Sequence, residues 1–423
     1  MDSIALIIFL ITYAGVAIGG IPGLTLDRTG IALLGAIGMI AAGVLSTQNA
    51  ILSIDISTIL LLYGLMVISS QFRLGGFYTW TALKITKFMD KPDKFLFVMM
   101  GVSAVFSAVL ANDIVCLAFT PILTVSLLKA GLNPIPFLIG LAVSSNIGSA
   151  ATIIGNPQNM LIGQLGKLDF GHFFLWCTPP SILALIAAYF IIKVIYPRTY
   201  SQRLPMPIQD SSTFTEIGVG VIERRAWQPF NKHQSMKGII ATAILIILFF
   251  TPIPREISAI SIAGLLLCSR SMHTRSILGL VDWHLITLFC ALFIVIKGIE
   301  TANLPFIIVE NLKNMGIDIH NLYILTMLST LLSNIVSNVP ATMLLTKFLD
   351  PSDHIQWYVL ALSSTYAGNL ITIGSIANLI TFEQAKEYGI NISFKEHAKA
   401  GIPVTIASLI IMALWIIFYQ TTG

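Results

Sequence analysis

Apolar residues run along this chain in blocks the length of a bilayer-spanning helix or slightly short of it, and in a few places a knot of polar residues sits inside a block instead of between blocks. The unbroken blocks predict membrane helices near 3–19, 29–46, 57–72, 173–195, 238–253, 256–269, 284–299 and 401–419. The first block has no basic leader and no clear small-residue cleavage site, so it reads as a retained helix. Four knots break the pattern. Phe106 to Val115 and Ser333 to Thr342 sit in the middle of the apolar segments 95–130 and 320–350. Ser144 to Asn159 and Ala367 to Asn378 interrupt the spans 134–165 and 356–380.

The first pair of knots predicts re-entrant hairpins. Each arm has about 15 residues, roughly 23 Å of helix, which is short of the roughly 30 Å hydrocarbon layer. The second pair predicts helices that unwind and resume. Backbone groups cannot stay unpaired in lipid, so such breaks persist only where they are buried in protein or line a cavity.

Composition fits this reading. Of 423 residues, 56% are hydrophobic and 10% charged, with a mean hydropathy of +0.85. The expected fold class is therefore an all-α polytopic membrane protein with about ten transmembrane helices, two re-entrant hairpins and two interrupted helices. Four scattered cysteines form no CxxC pair, and there is no HExxH, GxSxG or phosphate-binding loop, so neither an intramembrane enzyme nor an ATP-driven pump is supported. No cofactor and no nucleic-acid partner is expected. The histidines fall at segment ends or in loops.

Charge position adds an orientation. With the loop 196–237 in the cytoplasm, only Lys167, Arg255, Lys297, Lys313 and Lys347 of the 24 lysines and arginines lie outside, and both termini are external. The central Arg198, Arg203, Glu223, Arg224 and Arg225 read as a solvated connector.

The chain also repeats itself. Leu62 to Phe77 aligns with Phe289 to Leu304 at an offset of 227, Asn112 and Asn338 differ by 226, and the Gly-x-x-x-Asn elements at Gly155 and Gly374 differ by 219. Each half has an odd number of crossings, so residues 1–195 and 238–423 are expected to be inverted repeats joined by a linker. Broken helices at corresponding places mark a secondary transporter with its site near the midplane.

The knots carry suitable chemistry. Gly148, Gly155, Gly368 and Gly374 let the chain leave helical geometry, and Pro157 and Pro340 remove a donor and end a helix. Freed carbonyls then ligate a cation, and resuming helix N-termini point amides at an anion. Asn112, Asn146, Asn156, Asn159, Asn338, Asn369 and Asn378 offer both amide and carbonyl, and Ser145, Thr152, Ser337 and Thr372 add hydroxyls. Asp113 is the one acid placed deep in the membrane, where a carboxylate is costly unless it has work to do. It is the candidate proton carrier; a sodium ion at Asn112, Asn338 and neighbouring carbonyls is the other candidate coupling ion. The plainer readings are that Asp113 caps the second arm and that the asparagines join helices. Arg73, Lys297 and Glu300 read as interfacial snorkelling residues, and Cys116 as a small hydrophobe.

Ala111-Asn-Asp113 followed by Phe119-Thr-Pro121, with Ser337-Asn-Val-Pro340, resembles the arsenite/antimonite permeases of the ion transporter superfamily. Ser145-Asn-Ile-Gly148 with Thr152 to Asn159 is similar to the citrate and anion permeases, distant relatives of the divalent-anion/sodium symporters. The resemblance spans nearly the whole chain. It implies a two-hairpin elevator-type carrier, a homodimer in a bacterial cytoplasmic membrane, with Asn112 and Asp113 at one tip and Ser337 and Asn338 at the other. Both tips depart from the Ser-Asn-Thr pattern of sodium/dicarboxylate symport, which favours a proton on Asp113. The expected function is secondary transport of a small anion, an oxyanion or a carboxylate, with metalloid efflux and sodium/proton antiport as alternatives.

Overall fold

The computed structural model of the chain describes residues 2–20, 24–197, 229–304, 310, 314, 316 and 318–422. Helices begin where an aspartate, asparagine or serine can accept from the free amides of the first turn. Asp27 accepts from the Gly30 amide, Asp55 from Thr58, Asp169 from His172, Asn231 from Gln234 and Asp282 from Leu285. The first half holds α1 (Asp2–Ile18), α2 (Arg28–Ala41), α3 (Thr47–Leu52), α4 (Ile56–Leu74), α5 (Phe77–Ile85), α6 (Pro92–Leu110), α7 (Asn112–Lys129), α8 (Ile135–Ser149), α9 (Pro157–Leu165) and α10 (Phe170–Ile195). The second holds α11 (Lys232–Phe249), α12 (Arg255–Leu267), α13 (Thr274–Leu278), α14 (Trp283–Thr301), α15 (Leu322–Val336), α16 (Asn338–Leu345), α17 (His354–Ala367), α18 (Ile376–Glu387) and α19 (Phe394–Thr422). No strand occurs among the described residues. Seven of these helices are long and apolar enough to cross a bilayer, and the chain is an all-α polytopic membrane protein.

Packing pairs elements both within and across the two halves. Helix α2 lies on α14 and α4 on α12; α6 lies on α8 and α15 on α17; α7 lies on α18, α16 on α9, and α10 on α19. The broken helices α8 and α17 run through the middle. Every residue of α8 from Pro136 to Ser149 is buried, and so is every residue of α17 from Gln356 to Ala367. Their Ser144, Ser145, Asn146, Ser363 and Ser364 must therefore find partners inside the protein.

Several expectations need correction. The arms of the first hairpin have 19 and 18 residues instead of about 15, because the charged turns at Lys91, Asp93, Lys94 and Lys129 extend the helices past their apolar stretch. The second arm of the other hairpin, α16, has only eight residues. Pro157 and Pro340 open helices instead of ending them; a first-turn residue has no use for the amide that proline lacks. The four knot glycines keep ordinary backbone angles, and the positive φ values at the tips belong to Ala111 (66°) and Ser337 (74°). Gly148 and Gly155 serve close approach: a Cβ would fall 2.3 Å from the Ala104 backbone at the first and 2.2 Å from the Ser149 carbonyl at the second. The short helices α3, α5 and α13 carry too little periodicity to be predicted. Arg198, Arg203, Glu223, Arg224, Arg225 and Lys313, with most of the central linker, lie outside the described residues.

Candidate substrate and ion site

The chain breaks at Ala111 and Ser337, each in a region that costs a non-glycine residue about 1–3 kcal/mol. Neither α7 nor α16 has a side-chain cap, so the Asp113 carboxylate does not cap its arm. It makes no hydrogen bond among the described residues and remains half-buried. The breaks in α8–α9 and α17–α18 are held by matching bonds. Asn159 Nδ2 donates to the carbonyls of Ser149 (3.3 Å) and Thr152 (3.0 Å). Asn378 Nδ2 donates to those of Gly368 (2.7 Å) and Ile371 (3.4 Å), each position 219 residues further on. At the first tip the Asn112 amide donates to the Gly155 carbonyl at 3.0 Å. At the second, the Asn338 side chain is assigned with Nδ2 donating to the carbonyls of Gly374 (2.9 Å) and Ser364 (3.2 Å).

A second layer joins the halves. Asn146 Oδ1 accepts from Asn112 Nδ2 (3.1 Å) and Ser375 Oγ (2.9 Å), while its Nδ2 donates to Asn369 Oδ1 (2.9 Å) and Asn378 Oδ1 (3.1 Å). Ser145 Oγ donates to the Asn112 carbonyl (3.1 Å), and Thr152 Oγ1 pins the end of α6 at the Ala108 carbonyl (2.5 Å). Asn156 caps α9 and reaches Ser149 Oγ (2.9 Å) and Thr365 Oγ1 (3.2 Å). The asparagines thus spend most of their capacity on one another and on carbonyls. Asn112 Oδ1 is an exception: it is buried with no hydrogen-bond partner.

All four knots meet at a chamber of about 20 Å³, lined by Asn112, Asp113, Pro157, Gln158, Ser337, Asn338, Val339, Ser375 and Ile376. That is room for one water or one bare ion of similar size. Both tips and the N-termini of both resuming helices face it, so partial positive charge and neutral oxygens surround one carboxylate. Asp113 also faces a second cavity of about 100 Å³ on the side of α4 and α14, which contains Arg73 and Asp282. The site is therefore a carboxylate standing between a small polar chamber and a larger, mainly apolar one.

Of the sequence-predicted residues, Asn112, Asp113, Ser337 and Asn338 line the chamber, and Ser145, Asn146, Thr152, Asn156, Asn159, Asn369 and Asn378 brace it from behind. Thr372 points elsewhere, its Oγ1 3.5 Å from His397 Nδ1. Sequence reasoning missed His397, Arg73 and Asp282. His397 lies at a segment end, as expected, but is fully buried there, in the first turn of α19, which starts at Phe394. Arg73 was read as snorkelling but lines an internal cavity, and Glu300 is held by Lys297 (3.0 Å) and Lys347 (2.7 Å).

Helices broken in pairs around one buried polar centre define a membrane transporter. The chain matches the citrate transporter family over residues 5–367 and belongs to it. It is 26% identical to a 46 kDa membrane protein of Mycobacterium leprae, with 98% of each chain covered. It is 25% identical to a putative transporter arsB of Dictyostelium discoideum (92% of this chain, 87% of the relative). It is also 26% identical to the silicon efflux transporter LSI3 of Oryza sativa subsp. japonica, over 91% of each.

Proposed function

We propose that this protein is a secondary active transporter of a small anion, driven by a proton or sodium gradient, in which two inverted repeats carry the site past a scaffold in elevator fashion. The observation that carries the reading is the meeting of both hairpin tips and both resuming helices at one chamber with Asp113 at its edge. A chamber for one ion beside a roomier cavity suits a coupling cation bound next to its cargo. Asp113 takes the proton, or the sodium ion together with Asn112 Oδ1 and nearby carbonyls. Alternating access then needs the unit of α6–α10 and α15–α19 to slide against α4 and α14.

Counterflow in proteoliposomes with a panel of anions, with and without sodium at two pH values, tests the reading. Exchange of at least one anion that depends on pH or sodium is expected. If no anion moves while sodium and protons exchange, the chain is an antiporter and the anion reading is lost. Metalloid efflux, suggested by the names of two relatives, predicts instead a resistance to arsenite in a sensitive host that Asp113→Ala removes.

The proposed orientation, with both termini outside, rests on the lysine and arginine count, and two ion pairs fit its grouping of the loops. Lys193–Asp93 (2.7 Å) and Lys347–Glu300 (2.7 Å) each join residues that the charge count puts on one side. Exposed Cys268, beside Arg270, should then react with a membrane-impermeant thiol reagent only from the cytoplasmic face. Labelling of intact cells would reverse the assignment.

A further inference from the structure

The larger cavity holds one guanidinium and two carboxylates. Arg73 comes from the last turn of α4, Asp113 from the second residue of α7, and Asp282 from the cap of α14. Asp282 Oδ1 accepts from the Leu285 amide at 2.9 Å, which leaves its other oxygen free. Arg73 forms no ion pair within 4 Å among the described residues, although it shares the cavity with both acids. The rest of the wall is mostly apolar, with Leu65, Met66 and Met160. Nothing in the fold requires an arginine here: the corresponding residue of the second half is Glu300, engaged by two lysines at the other end of the scaffold.

These three groups set terms for a ligand. A guanidinium donates only, and an ionised carboxylate accepts only. An anion whose oxygens are all acceptors would satisfy Arg73 but be repelled by Asp113 and Asp282. An anion that also carries hydroxyl hydrogens satisfies all three. A neutral polyol would also satisfy the carboxylates, and it is the anion-transport reading above that selects a charged ligand for Arg73. At about 100 Å³ the cavity is several times the size of the small chamber and has room for a small oxyacid.

We propose that this cavity is the specificity site of the transporter and takes a small hydroxylated anion, with Arg73 holding its charged oxygen and Asp282, together with Asp113, accepting its hydroxyl hydrogens. The proposal rests on the anion-transport reading above and goes beyond it in naming the ligand chemistry and two residues. Asp282 contributes from the scaffold and Asp113 from the hairpin, so the ligand would bridge the two units that slide.

The test is counterflow by the full-length protein in proteoliposomes at neutral pH, with paired probes that differ in the hydroxyl: phosphate against sulfate, and glycolate against acetate. Phosphate and glycolate should exchange at least about tenfold faster than their partners, the value of one charged hydrogen bond made or missed. Arg73→Gln should lower exchange of all four by about tenfold or more, and Arg73→Lys should recover part of it. Asp282→Asn keeps the helix cap, since asparagine caps as well as aspartate, and should bring each pair to within about threefold of one another. If anions exchange with no hydroxyl preference, or the preference survives both Arg73→Gln and Asp282→Asn, this assignment is overturned and anion transport stands. If no anion exchanges, both fall together. A preference that collapses only in Asp282→Asn separates recognition from misfolding, because that variant retains its cap.

Discussion

The two hairpin tips share a backbone and differ in charge. Ala111 and Ser337 both take a positive φ, the Asn112 backbone amide and the Asn338 side chain donate to the matching carbonyls of Gly155 and Gly374, and Asn159 and Asn378 close those breaks with the same pair of bonds. Yet the residue after the tip asparagine is Asp113 in one half and Val339 in the other. The ends of α4 and α14 repeat this contrast, with a cavity-lining Arg73 on α4 and a lysine-bound Glu300 on α14. The matching breaks supply the cage, and only one of the two tips carries a carboxylate. A second carboxylate at the facing tip would repel the first across a chamber of about 20 Å³.

The comparison can be pressed at four points. Gly148→Ala should be the most damaging, since its Cβ would meet backbone at 2.3 Å, while the matching position already carries Ala367. A loss of about 3 kcal/mol is expected for Gly148→Ala, against about 1 kcal/mol for Ala367→Gly, read from unfolding in detergent. Next, Asn159→Ala and Asn378→Ala each remove two hydrogen bonds, with the Thr152 and Ile371 carbonyls keeping an amide donor from Gly155 and Gly374, and should cost about 1–3 kcal/mol apiece, in similar amounts if the two cages are equivalent. Ala111→Gly and Ser337→Gly should both stabilise, by about 0.5–1 kcal/mol: relief of the strained angle exceeds the extra chain entropy of glycine. Destabilisation of either would show that the tip angle is not strained. Least affected should be Glu300→Gln, whose partners are partly exposed lysines, at about 1 kcal/mol or less in the same assay.

Much of this was legible in sequence because a bilayer makes polar residues conspicuous. An Asn-Asp or Asn-Pro in the middle of thirty apolar residues has to be a break, and the offsets between such breaks survive even where side chains have diverged. The long spans came through for the same reason, from Phe170–Ile195 to Phe394–Thr422. What periodicity cannot show is where the end of a helix faces. Arg73 in the last turn of α4 reads the same whether it reaches headgroups or an internal cavity, and Asp282 looks like an ordinary cap because it is one as well. The burial of His397 was hidden because the hydrophobic run starts after it while the helix starts before it. Nor does spacing say that an asparagine bonds another asparagine: Asn146 joins Asn112, Asn369 and Asn378 across more than 200 residues of chain in two of its three contacts. The glycines were recognised as special, but for a conformational freedom that they do not use; close approach of neighbouring backbone is a tertiary fact.

The most direct test of the central claim, that one carboxylate on one tip couples the shared cage to a cation gradient, is to record cation and anion movement together in proteoliposomes for the wild type and Asp113→Asn. The account predicts that whatever anion exchange the variant retains is no longer accompanied by proton or sodium movement. Unchanged coupled movement in Asp113→Asn would contradict it and pass the coupling role to the neutral oxygens of the knots.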